Sequence, residues 1–147
     1  MNKTQPDKKN EHAIAYYNFI RTASWVEQQI KTALKPFGLT HAQLNILYSL
    51  AYRHPEPMSP NEIKESLLVS SPDVTRLIDR LCKKGLVSRA TCPENRRKVD
   101  IMITDQGKDI FQQAHTAGKK SVGDFFNEQI TEEEAIELNR ILNKMKF

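Results

Sequence analysis

At three places along this chain where an apolar helical stripe begins, a serine or threonine is followed three residues later by glutamine or glutamate: Thr40 with Gln43, Ser59 with Glu62, and Thr131 with Glu134. Each pair is a capping box, in which the hydroxyl and the longer side chain satisfy two backbone N–H groups that a helix start would otherwise leave unpaired. Three fixed helix starts within 147 residues predict a series of separate helices joined by short connections. Between these starts, proline and glycine supply the stops. Pro36 and Gly38 close a helix that begins near Glu11 and carries the stripe Tyr16, Phe19, Ile20, Ala23, Ile30, Ala33 and Leu34 at steps of three and four. Residues 1–10 before it read as a polar arm. His54-Pro55-Glu56-Pro57 stops the helix that Thr40 opens, whose apolar positions are Leu44, Leu47 and Leu50.

The middle of the chain is more specific. Met58 and Ser59 read as a very short strand, and Ser59 with Pro60 opens a short helix reaching about Leu68. Ser71 is the expected cap of the next helix, with Pro72 in its first position and Asp73 near its positive end. Val74, Leu77, Ile78 and Leu81 give that helix one apolar face, and Gly85 ends it. Two strands follow, Leu86 to Ala90 and Lys98 to Ile103, separated by a polar loop from Thr91 to Arg97. Thr104 caps a long helix to about Phe125, and the last helix carries Leu138, Ile141, Leu142 and Met145. The expected fold is mainly α with a small β-hairpin wing: a winged helix-turn-helix flanked by long N- and C-terminal helices. It is read as one domain over residues 1–147, with a DNA-binding lobe at 40–104.

Charge points to the partner. The chain is +4 overall. Between Asp73 and Lys98 lie Arg76, Arg80, Lys83, Lys84, Arg89, Arg96, Arg97 and Lys98 against only Asp73, Asp79 and Glu94, so this window is +5 and the remainder −1. Clustered cations favour a polyanion, because each phosphate contact releases condensed counterions. In a helix-turn-helix the second helix enters the major groove with its N-terminal residues near the bases. Its apolar face fixes the opposite face, so Ser70, Ser71, Pro72, Thr75 and Arg76 are the candidate major-groove residues. Arg76 suits guanine O6 and N7, and Thr75 suits a thymine methyl or a phosphate. Arg80, Lys83 and Lys84 lie further back and suit phosphates. The alternative for Arg76 and Arg80 is pairing with Asp73, Asp79 or Glu94 on a solvated surface. Arg96 and Arg97 on a hairpin tip have no core role and suit the minor groove, whose narrow A·T stretches concentrate negative potential.

These segments resemble one family. Gly38-Leu39-Thr40-His41-Ala42-Gln43 is similar to the entry of the helix-turn-helix unit in MarR-type regulators, and Ser70 to Leu81 with Lys83-Lys84-Gly85-Leu86-Val87 resembles their recognition helix and its exit. Ile103-Thr104-Asp105-Gln106-Gly107 resembles the end of their wing, and the likeness spans about residues 12 to 145. The family's wing reads Asp, any residue, Arg, where the aspartate braces the arginine. Here the matching positions are Asn95, Arg96 and Arg97, so the brace carried onto Asn95 is an uncharged hydrogen bond. The resemblance also implies a homodimer built by the terminal helices, here residues 11–37 and 105–147. The sequence supports that separately, because Ala13, Ile14, Tyr17, Phe125, Phe126, Ile130, Leu138, Ile141 and Met145 are more apolar surface than a small winged-helix core can hide. Two-fold symmetry then predicts a palindromic operator with half-sites about one turn, roughly 10 bp, apart or a multiple of it. The resemblance further implies a small phenolic or anionic effector, with Trp25, His41, Tyr48 and Tyr52 as candidate pocket residues. Core packing is the alternative for each.

Other function classes find less support. His12, His41, His54 and His115 are scattered, with no His-Glu-x-x-His pair and no phosphate-cradling loop among five glycines. An enzyme, a bound metal and a cofactor are therefore not expected. Cys82 and Cys92 are too few for a disulfide scaffold or a zinc knuckle, and read as reduced thiols. A DNA-binding thiol sensor, with Cys82 or Cys92 activated by Arg89 or Lys83, is a second reading. A winged helix used only for protein contact is a third, opposed by the +5 window. No stretch approaches the roughly 20 apolar residues of a membrane span. Met1 to Glu11 lacks the apolar core of a secretory signal, so a cytoplasmic location is expected.

Overall fold

In a computed structural model, which describes residues 10–68 and 71–145, every capping box forms as the sequence predicts. Helix α1 runs Glu11–Leu34 and ends in a single 3-10 turn, Lys35–Phe37, before Gly38. Thr40 accepts from Gln43 N and donates its own N–H to Gln43 Oε1, opening α2, His41–Arg53. Ser59 and Glu62 exchange the same two bonds at the start of α3, Pro60–Ser66. The Ser59 N–H held by Glu62 keeps that carboxyl below its ordinary range. Recognition-helix candidate α4 is Val74–Lys83, followed by strands β1, Val87–Cys92, and β2, Asn95–Ile103. Helices α5, Asp105–Gln129, and α6, Glu132–Lys144, complete the order.

One core sits under the lobe. Ile46, Leu47 and Leu50 of α2, Ile63 of α3, Ile78 and Leu81 of α4 and Ile101 of β2 are fully buried, joined by Leu34 of α1 and Ala114 of α5. Burying such side chains is worth about 1.5–3 kcal/mol each, which sets the relative positions of α2, α3, α4 and the hairpin. The expected short strand exists as a bridge: Met58 N–H donates to Ile101 O at 3.0 Å and Ile101 N–H to Met58 O at 2.9 Å. That bridge stitches the α2–α3 connection to the base of the hairpin.

Several boundaries move. Helix α3 stops at Ser66, not Leu68, and α5 continues to Gln129. Ser71 does not cap α4. Pro72 and Asp73 form a turn, Asp73 is the last non-helical residue, and its side chain makes no cap bond. Leu77 N–H to Asp73 O is the first bond of the helix, so Thr75 and Arg76 still lie in its first turn. The hairpin strands are longer than expected, and the loop shrinks to the turn Pro93-Glu94 between Cys92 and Asn95. Thr91 pairs with Val99 while Cys92 pairs with Asn95, so Arg96, Arg97 and Lys98 bulge out of β2. Both faces of this wing tip are exposed, and without a buried face there is no alternation in the sequence to mark a strand.

Candidate nucleic-acid interface and adjoining cavity

Helix α4 buries Val74, Ile78 and Leu81 and half-buries Leu77, which turns Thr75, Arg76, Arg80 and Lys83 to solvent. Among the described residues neither Arg76 nor Arg80 has a carboxylate within ion-pair distance, so the surface-pairing alternative is not realised. Asp79 instead pairs with Arg89 of β1, Nη2 to Oδ1 at 3.0 Å, clamping the wing to the helix beside it. Pro72 is exposed and Ser71 half-buried just ahead of the helix, while Ser70 lies outside the described residues. Lys84 is engaged elsewhere: its ammonium donates to the Gly38 carbonyl and ties the end of α4 to the turn before α2. The ammonium has three N–H donors, so this bond leaves two for a phosphate, and Lys84 is exposed.

On the wing, Arg96, Arg97 and Lys98 are exposed, with no carboxylate partner among the described residues. Asn95 Oδ1 accepts the Arg97 backbone N–H at 3.1 Å, so the neutral side chain does fold the bulge, but through the backbone and not the guanidinium. Cys82 sits half-buried near Arg89 and Asp79. Burial pushes its thiol up, outweighing the nearby guanidinium, which lowers the thiolate population a redox sensor needs.

The candidate pocket residues divide. His41, Tyr48 and Tyr52 of α2 line one cavity of about 660 Å³ between α2 and α5. Trp25 is not part of it: its ring lies 4.1 Å, centroid to centroid, from Phe125 of α5, and its free edge faces a shallow groove with Tyr17 and Ile20. Aromatic pairing between α1 and α5 outcompetes the cavity for this side chain. The α5 wall of the cavity, His115, Gly118, Lys119 and Val122, was missed, although its i, i+3, i+4, i+7 spacing marks one helix face. His115 packs against Phe111 and Tyr48 at 5.3 and 5.8 Å. At the cavity edge His41 Nδ1 lies 2.7 Å from Glu27 Oε2 of α1.

The terminal helices carry much exposed apolar surface. Ile14, Tyr17, Leu138, Ile141 and Met145 are 40, 69, 37, 43 and 51 % exposed. Phe125 and Phe126 are half-buried, the first partly by Trp25. Tyr16, Phe19 and Ile20, part of the α1 stripe, are also exposed, and α6 has no buried residue. Among the described residues no group of three or more His, Cys, Asp or Glu is placed to hold a metal ion, and no helix is long and apolar enough to cross a membrane.

Known proteins share this arrangement. The model of the MarR family matches residues 39–99. The HTH-type transcriptional repressor MdtR of Bacillus subtilis is 31% identical over 120 residues, 82% of this chain and 76% of that protein. The multiple antibiotic resistance protein MarR of Escherichia coli is 31% identical over 112 residues, 76% of each. The crystal structure of a cysteine-to-serine variant of that MarR, complexed with operator DNA, superposes with a TM-score of 0.78 at 27% identity, covering 95% of this chain and 98% of the other.

Proposed function

The chain belongs to the MarR family of winged helix-turn-helix transcriptional regulators, and on that premise we propose that it acts in the cytoplasm as a homodimeric repressor of a palindromic operator, released by a small phenolic or anionic effector. Membership makes it a DNA-binding regulator and not an enzyme. The observation that carries the reading is the exposed cationic face of α4, Arg76, Arg80 and Lys83, which has no carboxylate partner among the described residues, beside a wing that offers Arg96 and Arg97. Ser71, Pro72, Thr75 and Arg76 are assigned to the major groove, with Ser70 on sequence grounds. Arg80, Lys83 and Lys84 are assigned to phosphates, and Arg96 and Arg97 to the minor groove with Asn95 shaping their bulge. Residues 40–104 form the DNA lobe in this scheme, and residues 11–37 and 105–147 the dimer.

Titration with duplex tests the division of labour. Arg76→Ala is expected to cost about 1–3 kcal/mol on the operator and to relax base preference at one position. Lys83→Ala is expected to weaken operator and random DNA alike and to reduce the slope of log K against log salt by about one. Equal losses for both variants on every sequence would defeat the assignment.

Two features support the effector. The cavity joins aromatic walls to basic groups in a volume typical of small-molecule sites. It also touches His41, whose bond to Glu27 links the first turn of α2 to the dimerisation helix α1. An occupant that alters that bond biases how the DNA lobe sits on the dimer, which is a differential interaction of the kind a ligand-controlled switch requires.

A further inference from the structure

Helix α4 contains a single acid, Asp79, and places it in the middle of its cationic face. Thr75, Asp79 and Lys83 follow one another at intervals of four, and Arg76 precedes Asp79 by three. Residues so spaced are neighbours on a helix surface, and an acid four residues ahead of a lysine is the favoured order for an ion pair. Neither pair forms. The carboxylate reaches across to the wing and takes Arg89 Nη2 at 3.0 Å, while Arg76, Arg80 and Lys83 have no carboxylate within 4 Å among the described residues. Burial does not force that choice, because the Asp79 and Arg89 side chains are 48 and 39 % exposed.

We propose that Asp79 is a specificity-determining residue for DNA: by holding Arg89 it keeps a cation from arbitrary phosphates and fixes the angle between α4 and the wing. The inference rests on the reading of α4 and the wing as the DNA interface. Discrimination is a difference between two affinities, and weakening the competing one raises it. Binding to arbitrary sequence is a sum of phosphate contacts that tolerates any wing angle. Reading an operator requires the helix and the wing to be seated in their grooves together. One ion pair therefore acts with opposite sign on the two modes. Each phosphate contact adds about 0.9 to the slope of log K against log salt. An Arg89 released to a phosphate would thus make the affinity for arbitrary duplex fall about 3.5 times further between roughly 50 and 200 mM salt.

The test is fluorescence anisotropy on the full chain with two labelled duplexes of about two turns, roughly 20 bp. One is of mixed sequence and the other is the tightest binder selected from a random pool. Surface ion pairs add little to folding, so the variants stay folded. Asp79→Asn is expected to bind the mixed-sequence duplex at least threefold more tightly at about 50 mM salt, with a slope steeper by about 0.9, and the selected duplex no more tightly than wild type. Arg89→Met leaves the carboxylate without its counter-charge and is expected to weaken both duplexes. Asp79→Glu keeps the charge and is expected to match wild type on mixed sequence within twofold. A pair that only braces the fold would move the Asp79→Asn and Arg89→Met variants in the same direction. Mixed-sequence affinity that fails to rise in Asp79→Asn, or a selected duplex that gains as much, overturns the inference and leaves the interface standing. So does a loss confined to duplexes with one particular cytosine, which would make Asp79 a base-reading residue. Wild type that binds neither duplex at low salt overturns the interface as well.

Discussion

Replacing Leu138 and Ile141 together by lysine is expected to leave the protomer folded, render it monomeric, and lower operator affinity by a factor of about 1,000 or more. Both side chains are exposed in the protomer, at 37 and 43 %, and no residue of α6 is buried, so the protomer loses little packing. Lysine is a good helix former, and the C-terminal half of a helix accepts positive charge. In a dimer the same positions are apolar area against a partner, and two desolvated ammonium groups there cost several kcal/mol per protomer. Specific protein–DNA affinities of roughly 10⁻⁸–10⁻¹¹ M correspond to about 11–15 kcal/mol shared between two half-sites. A single lobe keeps about half of that, which falls into the non-specific range of roughly 10⁻⁴–10⁻⁶ M. Sedimentation velocity reads the oligomer and fluorescence anisotropy on a labelled duplex reads the affinity. A double variant that sediments as a dimer, or a monomer that still holds the operator tightly, would remove the terminal helices from their assigned role.

The stripe on α1 explains why such surface is visible in a sequence but its partner is not. Steps of three and four identify a face that something must cover. Leu34, at the end of that stripe, is covered by the protomer's own core, while Tyr16, Phe19 and Ile20 remain 47–59 % exposed. Periodicity carries no label for which molecule does the covering. Helix starts were legible because a capping box is a local event between residues three apart, and Thr40, Ser59 and Thr131 form it as expected. The start of α4 was misplaced because Ser71-Pro72 satisfies the rule for a cap and equally the rule for a turn, and nothing local decides between them. Arg76 could be assigned to the outward face because Val74, Ile78 and Leu81 left it no other direction. Trp25 could not be excluded from the cavity, since its pairing with Phe125 joins positions a hundred residues apart. The spacing of His115, Gly118, Lys119 and Val122 defined a face, but a face packed against side chains and a face lining a void have the same spacing.

Gly107→Ala is expected to destabilise the protein by about 3 kcal/mol, at the upper end of what a single added methyl costs in a packed region. The Cβ would lie 2.0 Å from Leu86 O, 2.8 Å from Ile103 Cγ1 and 2.9 Å from Leu86 C. The obstacle is backbone, and it is held. Leu86 O already accepts the Thr104 N–H at 3.1 Å. The Thr104 hydroxyl donates to Gly85 O at 2.7 Å and accepts the Gly107 N–H at 3.0 Å, so the exit of α4, the foot of β2 and the first turn of α5 are one hydrogen-bonded knot. Making room for a methyl means displacing Leu86 away from Thr104 or unwinding the first turn of α5, and either loses the cap, itself worth about 1 kcal/mol. For a chain of this length the loss corresponds to a Tm lower by about 6–12 °C, compared at equal protomer concentration because the proposed dimer would make Tm concentration-dependent. Operator affinity is expected to fall with it, since this knot fixes the wing and α4 relative to α5. The same substitution at Gly118 in the same helix is expected to raise Tm, because there the methyl meets no atom and helix propensity alone decides. A Gly107→Ala protein melting within about a degree of wild type would mean that Leu86 and α5 are free to separate, and the rigid coupling between lobe and dimer that the effector mechanism relies on would have no structural basis.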